Sequence, residues 1–226
     1  MSIINIRVID IAIIGHRMTG KTSLINKYIG TNNMYPFETI GMEFKIKNIK
    51  SSDNIDYKLK IWDTTGVERY YGMIFNILKK MKGLILVYSI DNKCTLDTIN
   101  KWINIIKNLN DISKIPIIIV GNKKDLEANR IISEEEGRKI AEDYNFNFFE
   151  TSAKTGENIN EIFQKLFEII IKNLKRHNNN NNIHNNNNNI HVNNIHNNNI
   201  LINNIHNNNN NYNNNKIDKE GKCLII

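Results

Sequence analysis

No run of 18 apolar residues occurs anywhere in these 226 residues, so no segment is expected to cross a membrane as a helix. Cysteine is nearly missing as well. Cys94 and Cys223 lie far apart in unlike surroundings, which excludes a disulfide framework and suits a reducing compartment. The N-terminal stretch "MSIINIRVIDIAIIG" lacks a clean apolar core, because Arg7 and Asp10 interrupt it; it reads as a strand and not as a signal peptide. The formal net charge is +7, but Lys and Arg are scattered. A basic stripe interleaved with aromatics is absent, so nucleic acid is not an expected partner. Charge of either sign is missing from residues 178–215, where 25 of 38 positions are Asn, broken by Ile-His pairs as in "NNIHNNNNNIHVNNIH". Such a stretch buries too little apolar surface to offset the entropy of ordering, and a disordered spacer is expected. The five histidines in and next to it (His177, His184, His191, His196 and His206) are irregularly spaced in repetitive sequence, which does not suggest a metal site.

What remains divides plainly. Residues 1–176 have mixed globular composition and suffice for one domain with a sizeable core; 177–215 form the Asn-rich spacer; 216–226 form a short tail. Within the first segment the patterns alternate. "RVIDIAII" reads as a strand ending at Gly15, and "KTSLINKYI" as a helix. "MEFKIKNI" and "IDYKLKIW" read as alternating strands joined by the turn signal "KSSDN". "GLILVYSI" and "IPIIIVG" are continuous apolar runs, as strands buried on both faces require. "TLDTINKWINIIKNL" and "NINEIFQKLFEIIIKNL" carry apolar residues at helical spacing. Ser133 followed by Glu136 is a capping box opening another helix, and "FNFFE" is a short last strand. The expected fold is α/β: a six-stranded, mostly parallel sheet with one antiparallel hairpin and about five helices on both faces. Ligands in such sheets bind beyond the carboxyl ends of the strands.

Three loops at those ends carry chemistry. "GHRMTGKT" comprises Gly15, His16, Arg17, Met18, Thr19, Gly20, Lys21 and Thr22. It fits G-x-x-x-x-G-K-[ST] between a strand and a helix, the context this phosphate-cradling pattern requires. Its backbone N–H groups and the helix N-terminus attract phosphate oxygens; Lys21 adds charge for the outer phosphates, and the Thr22 hydroxyl is placed to ligate Mg²⁺. "NKKD" follows the fifth strand. The Asp125 carboxylate can accept from both N1–H and N2–H₂ of guanine, whereas adenine would leave it unpaired. Asn122 can bridge back to the phosphate loop, and the Lys123 stem can cover the base. "TSAK", with Ser152, Ala153 and Lys154, follows the last strand, where backbone N–H groups can reach guanine O6. Each tetrapeptide alone is a weak signal; the three motifs in order, each after a strand, are strong together.

With "TIGMEF" and "KLKIWDTTGVER" added, residues 6–175 resemble the small GTPases of the Ras superfamily, and within it the Rab family. That resemblance implies the P-loop GTPase fold, GTP and GDP as ligands, Mg²⁺ as cofactor, and a molecular switch in vesicle-mediated membrane traffic. It implies that Thr39 ligates Mg²⁺ and contacts the γ-phosphate, that Asp63 holds a Mg²⁺-bound water, and that the Gly66 N–H senses the γ-phosphate. An effector loop would comprise Pro36, Phe37, Glu38, Thr39, Ile40, Gly41, Met42, Glu43 and Phe44, with Tyr35 or Phe37 covering the nucleotide. Effectors, an exchange factor, an activating protein and a dissociation inhibitor are the partners expected of a monomer of this kind. "CLII" is a C-a-a-X pattern that makes Cys223 a candidate for prenylation, geranylgeranyl or farnesyl, and so for anchoring at the cytoplasmic face of a membrane. A spacer of roughly 50 residues would let the domain range about 40 Å from such an anchor.

The departures from the family pattern cluster around the γ-phosphate. Val67 stands where the family has the Gln that orients the attacking water, Thr65 where it has Ala, and Arg17 and Met18 where it has small residues. "YYGM" and "YSID" also differ from the family's usual stretches. Arg17 has two readings: an arginine supplied in cis to the γ-phosphate, or a side chain directed to solvent that obstructs an activating protein. No catalytic residue is assigned, and slow hydrolysis is expected. The alternatives are a hydrolysis-deficient, GTP-bound scaffold and a signalling GTPase of another Ras-superfamily branch.

Overall fold

The computed structural model describes residues 7–31, 41–67, 71–108 and 115–176. The chain separates into two units, Met1–Asn173 and Leu174–Ile226, and the sheet and its motifs all belong to the first. The spacer, the tail and Cys223 lie outside the described residues, as do Tyr35, Pro36, Phe37, Glu38, Thr39 and Ile40.

Six strands form one sheet: β1 (Arg7–Gly15), β2 (Met42–Lys50), β3 (Asp56–Thr64), β4 (Gly83–Ser89), β5 (Ile117–Asn122) and β6 (Asn147–Glu150), in the order β2-β3-β1-β4-β5-β6. β2 pairs with β3 antiparallel and every other pair is parallel. The helices are α1 (Lys21–Ile29), α2 (Tyr71–Leu78), α3 (Lys93–Asn108), α4 (Glu134–Asp143) and α5 over residues 159–176. A 3-10 segment, Lys124–Asn129, follows β5.

The alternation of side chains along β1 builds two cores at once. Ile9, Ile11 and Ile13 pack with Leu24, Ile25 and Tyr28 of α1 and with Phe163, Leu166 and Phe167 of α5. Ala12 and Ile14 face the other way, against Ile74 of α2 and Leu96, Ile99 and Trp102 of α3. β4 and β5 divide likewise, Ile85, Val87, Ile118 and Val120 to the first core and Leu84, Leu86, Ile117 and Ile119 to the second. This double burial is why both strands are unbroken apolar runs. Each fully buried Ile or Leu contributes roughly 1.5–3 kcal/mol.

The expected hairpin is present, with Ser51 N–H donating to Ile55 O at 3.0 Å and Asn54 at a φ of 61° in the turn. The Ser133–Glu136 capping box is also formed, side chain to backbone in both directions. Two details differ from the sequence reading. Asn122 is the last residue of β5 instead of the first of a loop, and α2 is a helix that no sequence pattern announced. The parallel order leaves the carboxyl ends of β1, β4, β5 and β6 side by side. β1 is flanked there by β3 and β4, which the chain reaches in opposite directions, so the loop after β1 opens at the crevice where ligands of such sheets collect.

Candidate functional site

The loop after β1 is shaped by close packing. Gly15 ends the strand beside β4, where an added Cβ would stand 2.1 Å from Val87 O. Gly20 caps α1 in the left-handed region at a φ of 90°, and a Cβ there would stand 2.4 Å from Asn122 Nδ2. Only glycine satisfies both demands at position 20. Between them Thr19 is buried and its hydroxyl donates to His16 O at 3.0 Å. Lys21 is buried and its ammonium donates to Gly15 O at 3.1 Å and His16 O at 2.8 Å, so a positive charge arches over the loop. The first turn of α1 has no acidic residue to compete with an anion at its N-terminus. His16 is half-buried, with Nδ1 3.0 Å from Arg17 O, while Arg17 and Met18 are exposed. Met18 holds a φ of 61°, a conformation costly for a side-chain-bearing residue.

One amide ties the three sequence motifs together. Asn122, 1% exposed, donates from Nδ2 to Thr19 O at 2.8 Å. Its Oδ1 accepts from the Thr151 hydroxyl at 3.1 Å and from Ala153 N–H at 3.3 Å. Thr151 opens the "TSAK" motif, but the sequence alone assigns no role to its hydroxyl. Asp125 lies within the 3-10 segment. Its Oδ1 accepts from the Ser152 hydroxyl at 2.6 Å and its Oδ2 is 4.0 Å from Lys154 Nζ, which leaves the carboxylate 14% exposed and fixed in direction. Lys123 adopts a left-handed φ of 69°, and its Nζ is 3.4 Å from Asp91 Oδ2. Thus Gly15 to Thr22, Asn122 to Asp125 and Ser152 to Lys154 meet at one end of the sheet.

Beside the phosphate loop, the Thr22 hydroxyl donates to Asp63 Oδ2 at 2.6 Å. Asp63 Oδ1 is buried with no hydrogen-bond partner among the described residues. Burial raises the Asp63 pKa above the usual carboxylate range, opposed by the Thr22 hydrogen bond and by the Lys21 charge. A buried carboxylate oxygen left unpaired beside a threonine hydroxyl is a hard-oxygen arrangement that fits a Mg²⁺ ion or one of its waters. Thr39, the remaining expected ligand, lies outside the described residues.

Burial of Asp63 also bears on stability. A raised folded-state pKa means that the folded chain holds a proton which the unfolded chain has released. Metal-free stability therefore falls as pH rises through the window just above the ordinary Asp range. Asp63→Asn keeps an acceptor for Thr22 and removes the buried charge. Without metal or nucleotide, it should raise Tm at pH 7 by about 2–4 °C, on the order of 1 kcal/mol. The advantage should shrink as the pH is lowered toward 4, in thermal melts with EDTA. A lower Tm for Asp63→Asn at pH 7 would contradict the burial account.

The strand β3 then leads into the second candidate switch. The Thr64 hydroxyl donates to Ile13 O at 2.7 Å, holding this segment to β1. Gly66 lies directly on the phosphate loop: a Cβ there would stand 2.1 Å from Arg17 N and 2.4 Å from His16 C. Thr65 is buried, its N–H donates to Gly41 O at 3.1 Å, and its hydroxyl accepts from Val67 N–H at 3.3 Å. Val67 is half-buried and offers only hydrocarbon beyond its backbone. Of the expected effector loop, Gly41, Met42, Glu43 and Phe44 are described. Gly41 has a φ of 78°, and Phe44 is 46% exposed with its ring 5.2 Å from that of Trp62.

Residues 10–172 match the family model described as "Ras family". The chain is 36% identical over 159 residues to the mouse "Ras-related protein Rab-3D", covering 70% of this chain and 72% of that protein. It is 36% identical over 165 residues to the human "Ras-related protein Rab-3A", covering 73% of this chain and 74% of that protein.

Proposed function

Because the chain belongs to the Ras family of small GTPases and is similar to Rab-3 proteins within it, we propose that it is a guanine-nucleotide switch of membrane traffic. In this reading it binds GTP with Mg²⁺ tightly, hydrolyses it slowly, and hangs from a membrane by a lipid on Cys223. The observation that carries the nucleotide half is the Asn122 amide, which joins the phosphate loop at Thr19 to the base-reading segments at Thr151 and Ala153. A ligand long enough to span these segments carries phosphates at one end and a base at the other.

The geometry described above supports the following roles, and the family resemblance supplies that of Thr39. Backbone N–H groups from His16 to Thr22 and the α1 N-terminus hold the phosphates. Lys21 exchanges its carbonyl partners for phosphate oxygens. Asp125, aimed by Ser152, accepts from the guanine edge, and Lys123 lies against the base. Thr22, Thr39 and Asp63 would hold Mg²⁺, which when bound neutralises charge on the phosphates. The Gly66 N–H, beside Arg17, lies where a γ-phosphate would complete or release the second switch. The order-to-disorder response of such switches is what effectors, an exchange factor, an activating protein and a dissociation inhibitor would read.

Denaturing the purified protein should release GDP or GTP and no adenine nucleotide. In cells, Cys223→Ser should move the protein from the membrane fraction to the soluble one, since no described helix is long and apolar enough to hold it there. Undisturbed membrane association of that variant would remove the lipid from this account.

A further inference from the structure

Asp91 lies in the turn after β4, away from all three nucleotide motifs in sequence. The turn is fixed at both ends. Ile90 N–H donates to Asn122 O at 3.1 Å, which attaches it to the end of β5. The Thr95 hydroxyl accepts from Ser89 N–H at 2.9 Å and donates to Asn92 O at 2.6 Å, which attaches it to the start of α3. Within this frame the Asp91 carboxylate is held on one oxygen by the buried Ser89 hydroxyl, and its other oxygen faces Lys123 Nζ at 3.4 Å. Both side chains are more than two-thirds shielded, at 23% and 31% exposure. Lys123 itself leaves the chain at a left-handed φ of 69°, so the sharp turn into the 3-10 segment sets the root of its side chain. Four rotatable carbons lie between that root and the ammonium, and a freely rotating lysine stem carries up to about 2 kcal/mol of rotamer entropy. Asp91 removes that freedom at the far end.

We infer that Asp91 is a positioning residue for guanine-nucleotide retention, holding Lys123 stretched along the base site so that its stem is preorganised against a bound base. The inference rests on the nucleotide reading given above. It gives a definite sign: loss of the carboxylate speeds nucleotide release, because Lys123 must then be ordered when the nucleotide binds. If Asp91 competed with the nucleotide for Lys123, its loss would slow release.

The test uses the full-length protein loaded with N-methylanthraniloyl-GDP and chased with unlabelled GDP. Asp91→Asn should accelerate release about three- to fivefold at low salt, the upper range for a partly shielded ion pair. The acceleration should largely vanish in about 1 M salt, where the screening length is about 3 Å. In a Lys123→Ala background the same Asp91→Asn change should have no further effect, since the partner is already gone. Unchanged or slowed release in Asp91→Asn would overturn the inference. So would an equal acceleration in the Lys123→Ala background, which would place the effect in the turn itself. If the unmodified protein fails to retain the labelled GDP, the nucleotide reading falls and takes this role with it. Retention with release indifferent to Asp91 would remove the positioning role alone.

Discussion

Asp125→Asn will lose at least about 100-fold in GTP affinity while gaining affinity for xanthosine triphosphate. The carboxylate is largely shielded, held by the Ser152 hydroxyl at 2.6 Å and neighboured by Lys154. It can therefore accept two donors from a base edge without first being reoriented. Guanine offers N1–H and an exocyclic amine there. An amide in the same place accepts one of them and sets its own NH₂ against the other, leaving a donor facing a donor. Sites built to pair a polar edge discriminate by large factors because a mismatch strands a shielded polar group. Xanthine has an oxygen where guanine has the amine, and the introduced NH₂ can donate to it. Competition of GTP, XTP and ATP against a fluorescent guanine nucleotide, on the native and variant proteins, measures both directions of the change. Undiminished GTP affinity in Asp125→Asn would show that this residue does not read the base.

Val67→Gln will raise the rate of single-turnover GTP hydrolysis by about tenfold or more. Phosphoryl transfer asks the protein for positioning and charge stabilisation, and in this fold a glutamine side chain orients the attacking water. Val67 presents no donor or acceptor beyond its backbone, and that N–H is bound to the Thr65 hydroxyl at 3.3 Å. The neighbouring Gly66 is pressed on the backbone of Arg17, so the segment starts beside the phosphate loop and the introduced amide has little distance to cover. The residues proposed to hold the phosphates and Mg²⁺, Gly20, Lys21, Thr22 and Asp63, lie together beside the loop. The native protein should accordingly bind GTP well and turn it over slowly, which in cells would leave it largely GTP-loaded. If it hydrolyses GTP as fast as Gln-containing relatives, and Gln at 67 changes nothing, Val67 is no catalytic defect.

The parts legible in the sequence were those whose cause is local. β4 and β5 are buried on both faces, and that demand writes itself as unbroken apolar runs. α4 opens with a capping box whose two residues are three apart. The phosphate loop is a contiguous pattern, because a backbone that wraps a phosphate needs its glycines at fixed spacing. The parts that were not legible have causes spread across the chain. α2 spans eight largely apolar residues, with Gly72 among them and no acidic first turn or basic last turn to mark its ends. Only its packing against the β1 and β4 face, through Ile74 and Leu78, makes it a helix. Asp91 and Lys123 are 32 residues apart and meet because β4 and β5 are neighbours in register, with Ser89 opposite Asn122. Thr151 joins the Asn122 network from 29 residues away, for the same kind of reason across β5 and β6. Arg17, Met18, Thr65 and Val67 were visible only as departures from a family pattern. The structure adds that Gly66 lies against the backbone of His16 and Arg17, so the two short stretches that carry these departures lie side by side.

The most direct measurement is a calorimetric titration of the nucleotide-stripped, full-length protein with GDP, GTP and ATP, each with and without Mg²⁺. The account predicts tight binding of GDP and GTP, marked weakening of GTP when Mg²⁺ is withheld, and ATP binding at least about 1000-fold weaker than GTP. Equal affinities for ATP and GTP, or no binding of either guanine nucleotide, would contradict it.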